Sequence, residues 1–361
     1  MKKIYIFGHN DLDGVGVQII GRMYAEMKGL PFEIHKCNYQ EINKEVMDCL
    51  KENRYRDIEE ILVGDISVNS VAAPVLDQAY QMGVPVMLRD HHATAEWLNK
   101  YEWAYVAEKD KNGIPFCGTY LLAKEFPDIF NRMKVFIETV DSWDTWKWKA
   151  TNNKCAKDLN ALYKILGTKA FTEYILNLDM SEVSQPEDLF TDYARTLVDA
   201  HEMLALKTAR SCEESMWVST MKFKVPHKKK KMELTAGVVF CNNDISEVAD
   251  YILDKHSELD FVMIGNLPRA FSFRTQKQLP IPLGEIANQV TGSGGGHPFS
   301  AGAVIHADNF QKGFYKFLQS MTAGCTVDTF FPNKDSNLVS DIHPGYKPQR
   351  TARKSSKGKR G

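Results

Sequence analysis

The sequence predicts an α/β protein whose N-terminal domain has a parallel sheet with helices on both faces. Two observations predict this class. Apolar segments such as "KIYIF", "IEEILVGD" and "VPVMLRD" alternate along the first hundred residues with segments of helical spacing, such as "INKEVMDCLKEN". Ionisable residues also follow these strand-like segments, and in parallel sheets ligands bind beyond the carboxyl ends of the strands.

The second half of the chain changes its pattern twice. A mostly helical stretch is followed by strand-like segments at "WVSTMKFKV", "LTAGVVF", "FVMIGNL" and "AFSFRTQ". These segments predict a smaller C-terminal α/β domain with a mixed sheet. We therefore expect a first domain over residues 1–155, a helical linker over 156–215, a second domain over 216–323 and a polar to basic, disordered tail over 324–361.

Composition sets broad limits on the class of protein. The net charge of -1 over 361 residues does not by itself indicate a nucleic-acid binder, although the last seventeen residues are basic and contain no acid. The seven cysteines are scattered without a C-x-x-C pair, which is typical of reduced thiols in a cytoplasmic protein. No apolar stretch is long enough to predict a membrane span, and the apolar run before Gly8 is too short for the hydrophobic region of a signal peptide.

Candidate metal ligands follow three strand-like segments in chain order. Carboxylates suit Mn²⁺ and Mg²⁺, and Mn²⁺ tolerates imidazole better. A single aspartate after a strand is ordinary turn chemistry, but the joint pattern predicts two neighbouring cations that share a carboxylate. The first five candidates are His9, Asp11, Asp13, Asp65 and His91. The segment "VDSWDTW" offers Asp141 or Asp144 as a sixth ligand.

These segments resemble the motifs of a known superfamily. "HNDLDG", "VGDIS", "RDHHAT" and "DSWDTW" are similar to the successive motifs of the DHH phosphoesterases, and "GGGHPFSAG" resembles the glycine-rich signature of their associated C-terminal domain. That superfamily includes RecJ-type exonucleases, oligoribonucleases, cyclic-dinucleotide phosphodiesterases and family II pyrophosphatases. "HNDLDGVG" and "DTWKW" are most similar to nanoRNase B-like oligoribonucleases. The resemblance covers about residues 1–323 and implies that 1–155 is catalytic and 216–323 binds the substrate.

The resemblance implies a role for each residue of the first two motifs. His9 and Asp11 would hold one cation, and Asp13 would hold the other. Asp65 would bridge both cations, which also gives it a catalytic role. The implied cofactor is a pair of divalent cations, with Mn²⁺ preferred and Mg²⁺ as the alternative.

The third and fourth motifs complete the implied centre. His91 would join the second cation together with Asp144, because the related enzymes keep "DTW" at that place. Asp141 is the alternative, and the spacing alone leaves this choice open. His92 would be catalytic by facing the scissile phosphate, and Asp90 would orient a histidine.

The C-terminal domain carries the implied substrate-binding residues. Arg274 would hold a phosphate with two parallel hydrogen bonds. Gly295 and Gly296 would let backbone N–H groups approach an anion, and His297 and Ser300 would add side-chain hydrogen bonds. A flexible glycine turn is the simpler interpretation of this segment when it is taken alone.

The expected function is hydrolysis of short RNA or DNA oligonucleotides to nucleoside 5'-monophosphates by water that two cations activate. The alternatives are a cyclic- or linear-dinucleotide phosphodiesterase, a 3'-phosphoadenosine 5'-phosphate phosphatase and, least expected, a non-catalytic nucleotide-binding module. The sequence leaves monomer and homodimer open. It further predicts core packing for Trp143 and Trp146, because their spacing is helical, and a solvated hairpin tip for "HKKKKMEL".

Overall fold

The computed structural model describes residues 2–53, 55–151, 153–226, 228, 230–266, 270–291, 294–296 and 298–304. The tail expected over 324–361 lies outside these residues. The chain divides into two compact units, one ending at His201 and the other beginning at Glu202. The four domain ranges expected from the sequence stay predictions. In the part of the chain that the structure describes, no helix is long and apolar enough to cross a membrane.

The first unit alternates strands and helices, as the sequence pattern predicts. Its strands are β1 (Lys3–Gly8), β2 (Phe32–Lys36), β3 (Ile58–Gly64), β4 (Val86–Asp90) and β5 (Ala104–Val106). Its helices are α1 (Leu12–Met27), α2 (Ile42–Glu52), α3 (Ala73–Gln81), α4 (Gly118–Lys124), α5 (Pro127–Arg132), α6 (Lys134–Asp144), α7 (Lys147–Thr151), α8 (Lys154–Asn177) and the start of α9 (Asp192–Glu214). Two 3₁₀ helices span Ala93–Lys100 and Pro186–Leu189.

The five strands form one parallel sheet in the order β2-β1-β3-β4-β5. The chain passes from β1 to β2 on one side and then returns to place β3 on the other side of β1. The carboxyl ends of β1 and β3 therefore form a topological switch point, where open α/β sheets bind their ligands. β4 lies beside β3, so its last residues reach the same edge.

Helices cover both faces of this sheet. Along β1, Tyr5 and Phe7 pack on one face, whereas Ile4 and Ile6 pack on the other. Strand residues alternate between faces, so a strand that is covered on both sides is apolar at every position. All four of these side chains are at most 3% exposed. This packing fixes the sheet edge that carries the candidate ligands.

The second unit is a smaller α/β structure with a mixed sheet. Its strands are β6 (Trp217–Lys224), β7 (Lys231–Phe240), β8 (Phe261–Asn266), β9 (Ala270–Arg274), β10 (Gly295–Gly296) and β11 (Ser300–Val304). Its helices besides the end of α9 are α10 (Ile245–Lys255) and α11 (Leu283–Thr291). The order is β10-β11-β9-β8-β7-β6, and β7 pairs parallel to β8 while the other described pairs are antiparallel. The fold class expected for both domains is confirmed.

Candidate metal centre

The loop between β1 and α1 places the first ligands. His9 follows the end of β1, and Asp11 caps α1 by accepting a hydrogen bond of 3.0 Å from the backbone N–H of Gly14. His9 Nδ1 lies 2.8 Å from Asp11 Oδ2, so the two side chains already touch. A Cβ at Gly14 would lie 2.2 Å from the carbonyl oxygen of His9. Glycine is therefore required for the helix to start this close to the ligands.

Asp13 is held by the start of a helix far along the chain. Its two carboxylate oxygens accept hydrogen bonds of 2.7 Å from the backbone N–H groups of Gly118 and Thr119, at the start of α4. The Thr119 hydroxyl also donates to the Asp13 carbonyl at 2.6 Å. A Cβ at Gly118 would lie 2.6 Å from the Cβ of Asp65, so glycine lets α4 begin against the sheet edge. The sequence pattern did not predict that Gly118 and Thr119 hold Asp13. The segment "CGT" before a helical segment is the one sequence feature that marks this helix start.

Asp65 occupies the centre of the candidate site. It follows β3 with a φ of 56°, a left-handed conformation that is uncommon outside glycine and clusters at functional sites. Its side chain is buried, with Oδ1 lying 3.2 Å from His91 Nε2 and Oδ2 lying 3.8 Å from His9 Nδ1. Oδ2 has no hydrogen-bond partner among the described residues. The carboxylate thus faces one histidine from each neighbouring strand end.

A second group of ligands meets around His91. Its Nε2 lies 3.5 Å from Asp144 Oδ2 and 3.8 Å from Asp13 Oδ2. Asp144 Oδ2 is buried and lacks a hydrogen-bond partner in the described part of the chain. Buried polar atoms are normally paired, so coordination of a cation is one standard explanation for such an atom.

The structure separates the two aspartates of "VDSWDTW". Asp141 Oδ1 accepts a hydrogen bond of 2.9 Å from the backbone N–H of Cys117, and Oδ2 forms an ion pair with Lys147. Both of its oxygens are therefore occupied, whereas Asp144 faces His91. This geometry favours Asp144 as the sixth ligand, and the assignment stays a prediction.

His92 lies beside the ligand cluster and is held on both sides of its ring. Its Nδ1 lies 2.7 Å from Asp90 Oδ1, and its Nε2 lies 3.0 Å from the hydroxyl of Tyr39. Asp90 also accepts a hydrogen bond of 2.5 Å from Ser67 and one of 2.8 Å from the backbone N–H of His91. The orienting role expected for Asp90 is consistent with these bonds. Tyr39 and Ser67 carried no recognisable signal in the sequence.

The electrostatics of the site favour bound cations. Burial, followed by the charges of Asp13 and Asp11, raises the pKa of both Asp65 and Asp144 well above the usual range. Burial also opposes ionisation of Asp11, but its hydrogen bond with His9 and the charge of that ring lower its pKa to about 2. Crowded carboxylates repel one another, and divalent cations would stabilise their charged forms.

Six of the candidate ligands fall into two geometric groups, and their assignment to two cations stays a prediction. One group contains His9, Asp11 and Asp65, and the other contains Asp13, His91 and Asp144. Within each group, one ligand atom per residue lies within 4.8 Å of the others. A further overlapping group contains Asp65, Asp90, His91 and His92, but the oxygens of Asp90 are already engaged as described above. Asp65 Oδ2 and Asp144 Oδ2, buried oxygens that no described residue hydrogen-bonds, fit hard or borderline divalent cations together with this donor set.

The predicted substrate-binding residues lie together in the second unit. Arg274 ends β9 and pairs with Ser300 at the start of β11. Gly295 and Gly296 form β10, which pairs with β11 at Ala301 and Gly302 and leaves both glycines exposed. His297, which the sequence also predicts as a substrate ligand, lies outside the described residues.

One expectation about the tryptophans is wrong. Trp143 is partly buried and packs against the core of the first unit, but Trp146 is 52% exposed. α6 ends at Asp144, and Trp146 then adopts a left-handed backbone with a φ of 63°, so the helical spacing does not continue. Lys149 lies over its ring at 4.5 Å from the centroid.

Comparison with known proteins agrees with the motif assignment. No family model matches the chain. The oligoribonuclease NrnB of Bacillus subtilis is 27% identical over 310 residues, which is 83% of this chain and 72% of the relative. A 3',5'-cyclic-nucleotide phosphodiesterase of Helicobacter pylori is 22% identical over 356 residues, covering 87% of this chain and 95% of that protein.

A solved structure supports the fold. A DHH domain from a protein described as a member of a family of ribosomal proteins superposes with a TM-score of 0.55 at 13% identity, covering 88% of this chain and 86% of that one. At this identity the likeness is evidence for the fold alone.

Proposed function

We propose that this chain is a member of the DHH superfamily and a metal-dependent phosphodiesterase that hydrolyses short oligonucleotides to nucleoside 5'-monophosphates, as its similarity to an oligoribonuclease supports. One observation carries the proposal: six candidate ligand side chains, from three strand ends and α6, converge in two groups at one edge of the sheet. Such a pair of groups suits phosphoester hydrolysis, in which two cations would stabilise the attacking oxygen and the leaving oxygen.

The proposed ligand partition follows the two geometric groups. The first cation would be held by His9, Asp11 and Asp65, and the second by Asp13, His91 and Asp144. When bound, the cations would supply an activated water near neutral pH and neutralise phosphate charge. Asp65 lies between a histidine of each group, which supports its role as the bridging carboxylate. The preference for Mn²⁺ over Mg²⁺ is proposed from the two imidazole ligands.

His92 is proposed to contact the scissile phosphate. Burial alone would lower its pKa, but the hydrogen bond to Asp90 and the charge of that carboxylate raise it above the usual value. A protonated imidazole can donate a hydrogen bond to a phosphate oxygen and stabilise the charge that grows there. The hydrogen bond from Nδ1 to Asp90 holds the ring in place, and Nε2 would exchange the Tyr39 hydroxyl for a phosphate oxygen when the substrate binds.

The second unit is proposed to bind a phosphate of the substrate. Arg274, Gly295, Gly296 and Ser300 lie on neighbouring strands of one sheet, and His297 belongs to the same segment of sequence. Burial lowers the pKa of Arg274, yet a guanidinium remains charged at neutral pH. Its fork geometry suits bidentate phosphate binding.

A substrate panel tests the proposal. Incubation of the full chain with Mn²⁺ and labelled RNA or DNA of two to five nucleotides should release nucleoside 5'-monophosphates, and removal of the metal by a chelator should stop the release. Asp65→Asn under the same conditions is the matched control, which should release little or none. Failure of the wild-type chain to release monophosphates from any of these substrates would contradict the proposal.

A second candidate is hydrolysis of cyclic nucleotides or dinucleotides, which the similarity to the cyclic-nucleotide phosphodiesterase supports. The same panel separates the two when it includes cyclic mononucleotides, cyclic and linear dinucleotides and 3'-phosphoadenosine 5'-phosphate. The larger kcat/KM for linear oligonucleotides is the result that we expect. We also propose a cytoplasmic location, which the similarity to the oligoribonuclease supports. The elution volume in gel filtration will decide between monomer and homodimer.

A further inference from the structure

A cavity of about 290 Å³ lies beside the candidate metal centre, entirely within the first unit. It is lined by residues that follow β2, β3 and β4, so it lies at the same carboxyl edge of the sheet as the metal ligands. His92 and Asp90 form one wall, and Tyr39 and Trp97 contribute aromatic surface. The volume is near the lower end of the roughly 300–1,000 Å³ range for small-molecule pockets. It therefore suits one nucleobase and not several nucleotides.

The chemistry of the lining favours a flat, uncharged group with hydrogen-bonding edges. Tyr39 and Trp97 are 55% and 38% exposed, so ring surface is available for stacking. None of the described lining residues is a lysine or an arginine, which disfavours a second phosphate in this cavity. The carboxylate of Asp90 is buried and is hydrogen-bonded to Ser67 and His92, so its oxygens are already engaged by the protein.

The cavity also offers polar groups that the fold does not use. Asn43 Oδ1 accepts a hydrogen bond of 2.7 Å from the backbone N–H of Asn69, which fixes the side chain. Its Nδ2 makes no hydrogen bond among the described residues, and neither do the hydroxyls of Ser70 and Thr94. The fixed amide of Asn43 can therefore donate hydrogen bonds to the edge of a base, and the two neighbouring hydroxyls can donate or accept them.

We propose that this cavity is the subsite for the nucleobase adjoining the scissile phosphate, with Trp97 as the stacking residue and Asn43 as the edge-reading residue. The inference rests on the proposed function, because it assigns the cavity to a nucleotide substrate. His92 links the two sites: it is proposed to face the phosphate and also lines the cavity. The position of the cavity makes the base beside that phosphate the natural occupant.

The test compares two ligands that differ only in the base. Calorimetric titration of the full chain with Mn²⁺ should show that adenosine 5'-monophosphate binds about tenfold more tightly than ribose 5-phosphate, as expected for one base stacked on an aromatic ring. Trp97→Ala should abolish this preference. Asn43→Asp keeps the acceptor for Asn69 but removes the free donors, and it should reduce the preference. Tyr105→Ala, an exposed aromatic position on β5 outside the cavity lining, should keep it.

The outcomes separate this inference from the proposed function. Equal binding of both ligands to the wild type, a preference that survives Trp97→Ala, or a preference that Tyr105→Ala also removes would each overturn the subsite. If Trp97→Ala alone removes the preference but no oligonucleotide is hydrolysed, the subsite stands and the proposed activity fails. If oligonucleotides are hydrolysed and Trp97→Ala keeps the preference, the activity stands and the subsite fails.

Discussion

The candidate metal centre of the first unit and the β9–β11 region of the second unit hold their candidate functional groups in different ways. In the metal centre, buried bonds fix the side chains: Asp13 accepts two backbone N–H groups, and Asp144 is placed against His91. In the β9–β11 region, the Arg274 guanidinium donates to the carbonyl of Phe273 at 3.0 Å, and the glycines are exposed.

This difference follows from the chemistry that each region is proposed to perform. Two cations a few ångströms apart need ligands at fixed positions, so the chain must position them before binding. A phosphate can instead be bound by exposed backbone N–H groups and by a long side chain that exchanges carbonyl partners for phosphate oxygens. Substitutions should therefore impair catalysis in the first region and substrate affinity or local stability in the second.

The largest expected effect is the loss of kcat/KM on substitution of Asp144, which should exceed the loss on substitution of Asp141. Asp144→Asn should lower kcat/KM for a dinucleotide by more than about 100-fold, because losing a ligand should cost more than losing a group that only supports one. Asp141→Asn should cost less, since the replacement amide still accepts the N–H of Cys117. Steady-state kinetics over a range of Mn²⁺ concentrations measure both. Equal losses, or a larger loss for Asp141→Asn, would contradict the assignment of Asp144.

The next prediction moves to the second unit. Arg274→Lys keeps the positive charge but removes the planar fork, and Arg and Lys differ most at bidentate sites. We expect KM for oligonucleotides to rise about tenfold, the lower end of what a charged hydrogen bond contributes, with a smaller change in kcat. The change in KM relative to the change in kcat shows whether Arg274 acts in binding or in catalysis. A loss confined to kcat would mean that Arg274 acts in catalysis and not in binding.

A smaller effect concerns the stability of the glycine hairpin. Gly296 has a φ of 143°, and a Cβ there would lie 2.5 Å from the carbonyl oxygen of Ser300. Gly296→Ala should therefore destabilise the second unit by about 1–3 kcal/mol, the usual cost of a strained backbone position. At Gly295 no atom lies within 4 Å of an added Cβ, so Gly295→Ala is the matched control. Urea unfolding followed by circular dichroism compares them, and similar midpoints would refute the steric argument.

The smallest effect depends on pH. The hydrogen bond with Glu258 raises the pKa of His256 above the ordinary 6.5. Burial opposes this shift, and a second hydrogen bond, with Glu213, adds to it. A raised pKa in the folded state stabilises the protein below pH 6.5, and this stabilisation is lost as the pH rises through the folded-state value. It should stay below about 1 kcal/mol, because His256 and both of its partners keep contact with solvent, which screens their ion pairs. Urea midpoints between pH 5.5 and 8.5 should fall less for His256→Gln than for the wild type; identical pH profiles would exclude the contribution.

Much of the fold and the set of metal-centre candidates could be predicted from the sequence. Alternating apolar segments indicated the parallel sheet, and the positions of His9, Asp65 and His91 after strand-like segments placed them at one edge. That reasoning works because the carboxyl ends of parallel strands lie together whatever the details of the loops.

Other features depend on three-dimensional detail that no local pattern carries. Asp141 and Asp144 lie on one helix three residues apart, so only the packing of α6 decides which one faces His91. Gly118 meets Asp13 across more than a hundred residues of sequence. Trp146 leaves the helix through a left-handed residue, which periodicity could not reveal.

Diffraction from crystals soaked in Mn²⁺, measured at the manganese absorption edge, tests the central claim most directly. The account predicts two anomalous peaks about 3.5–4 Å apart. His9 and Asp11 should contact one ion, Asp13, His91 and Asp144 should contact the other, and Asp65 should contact both. A single ion, or a second ion bound by Asp141 in place of Asp144, would contradict it.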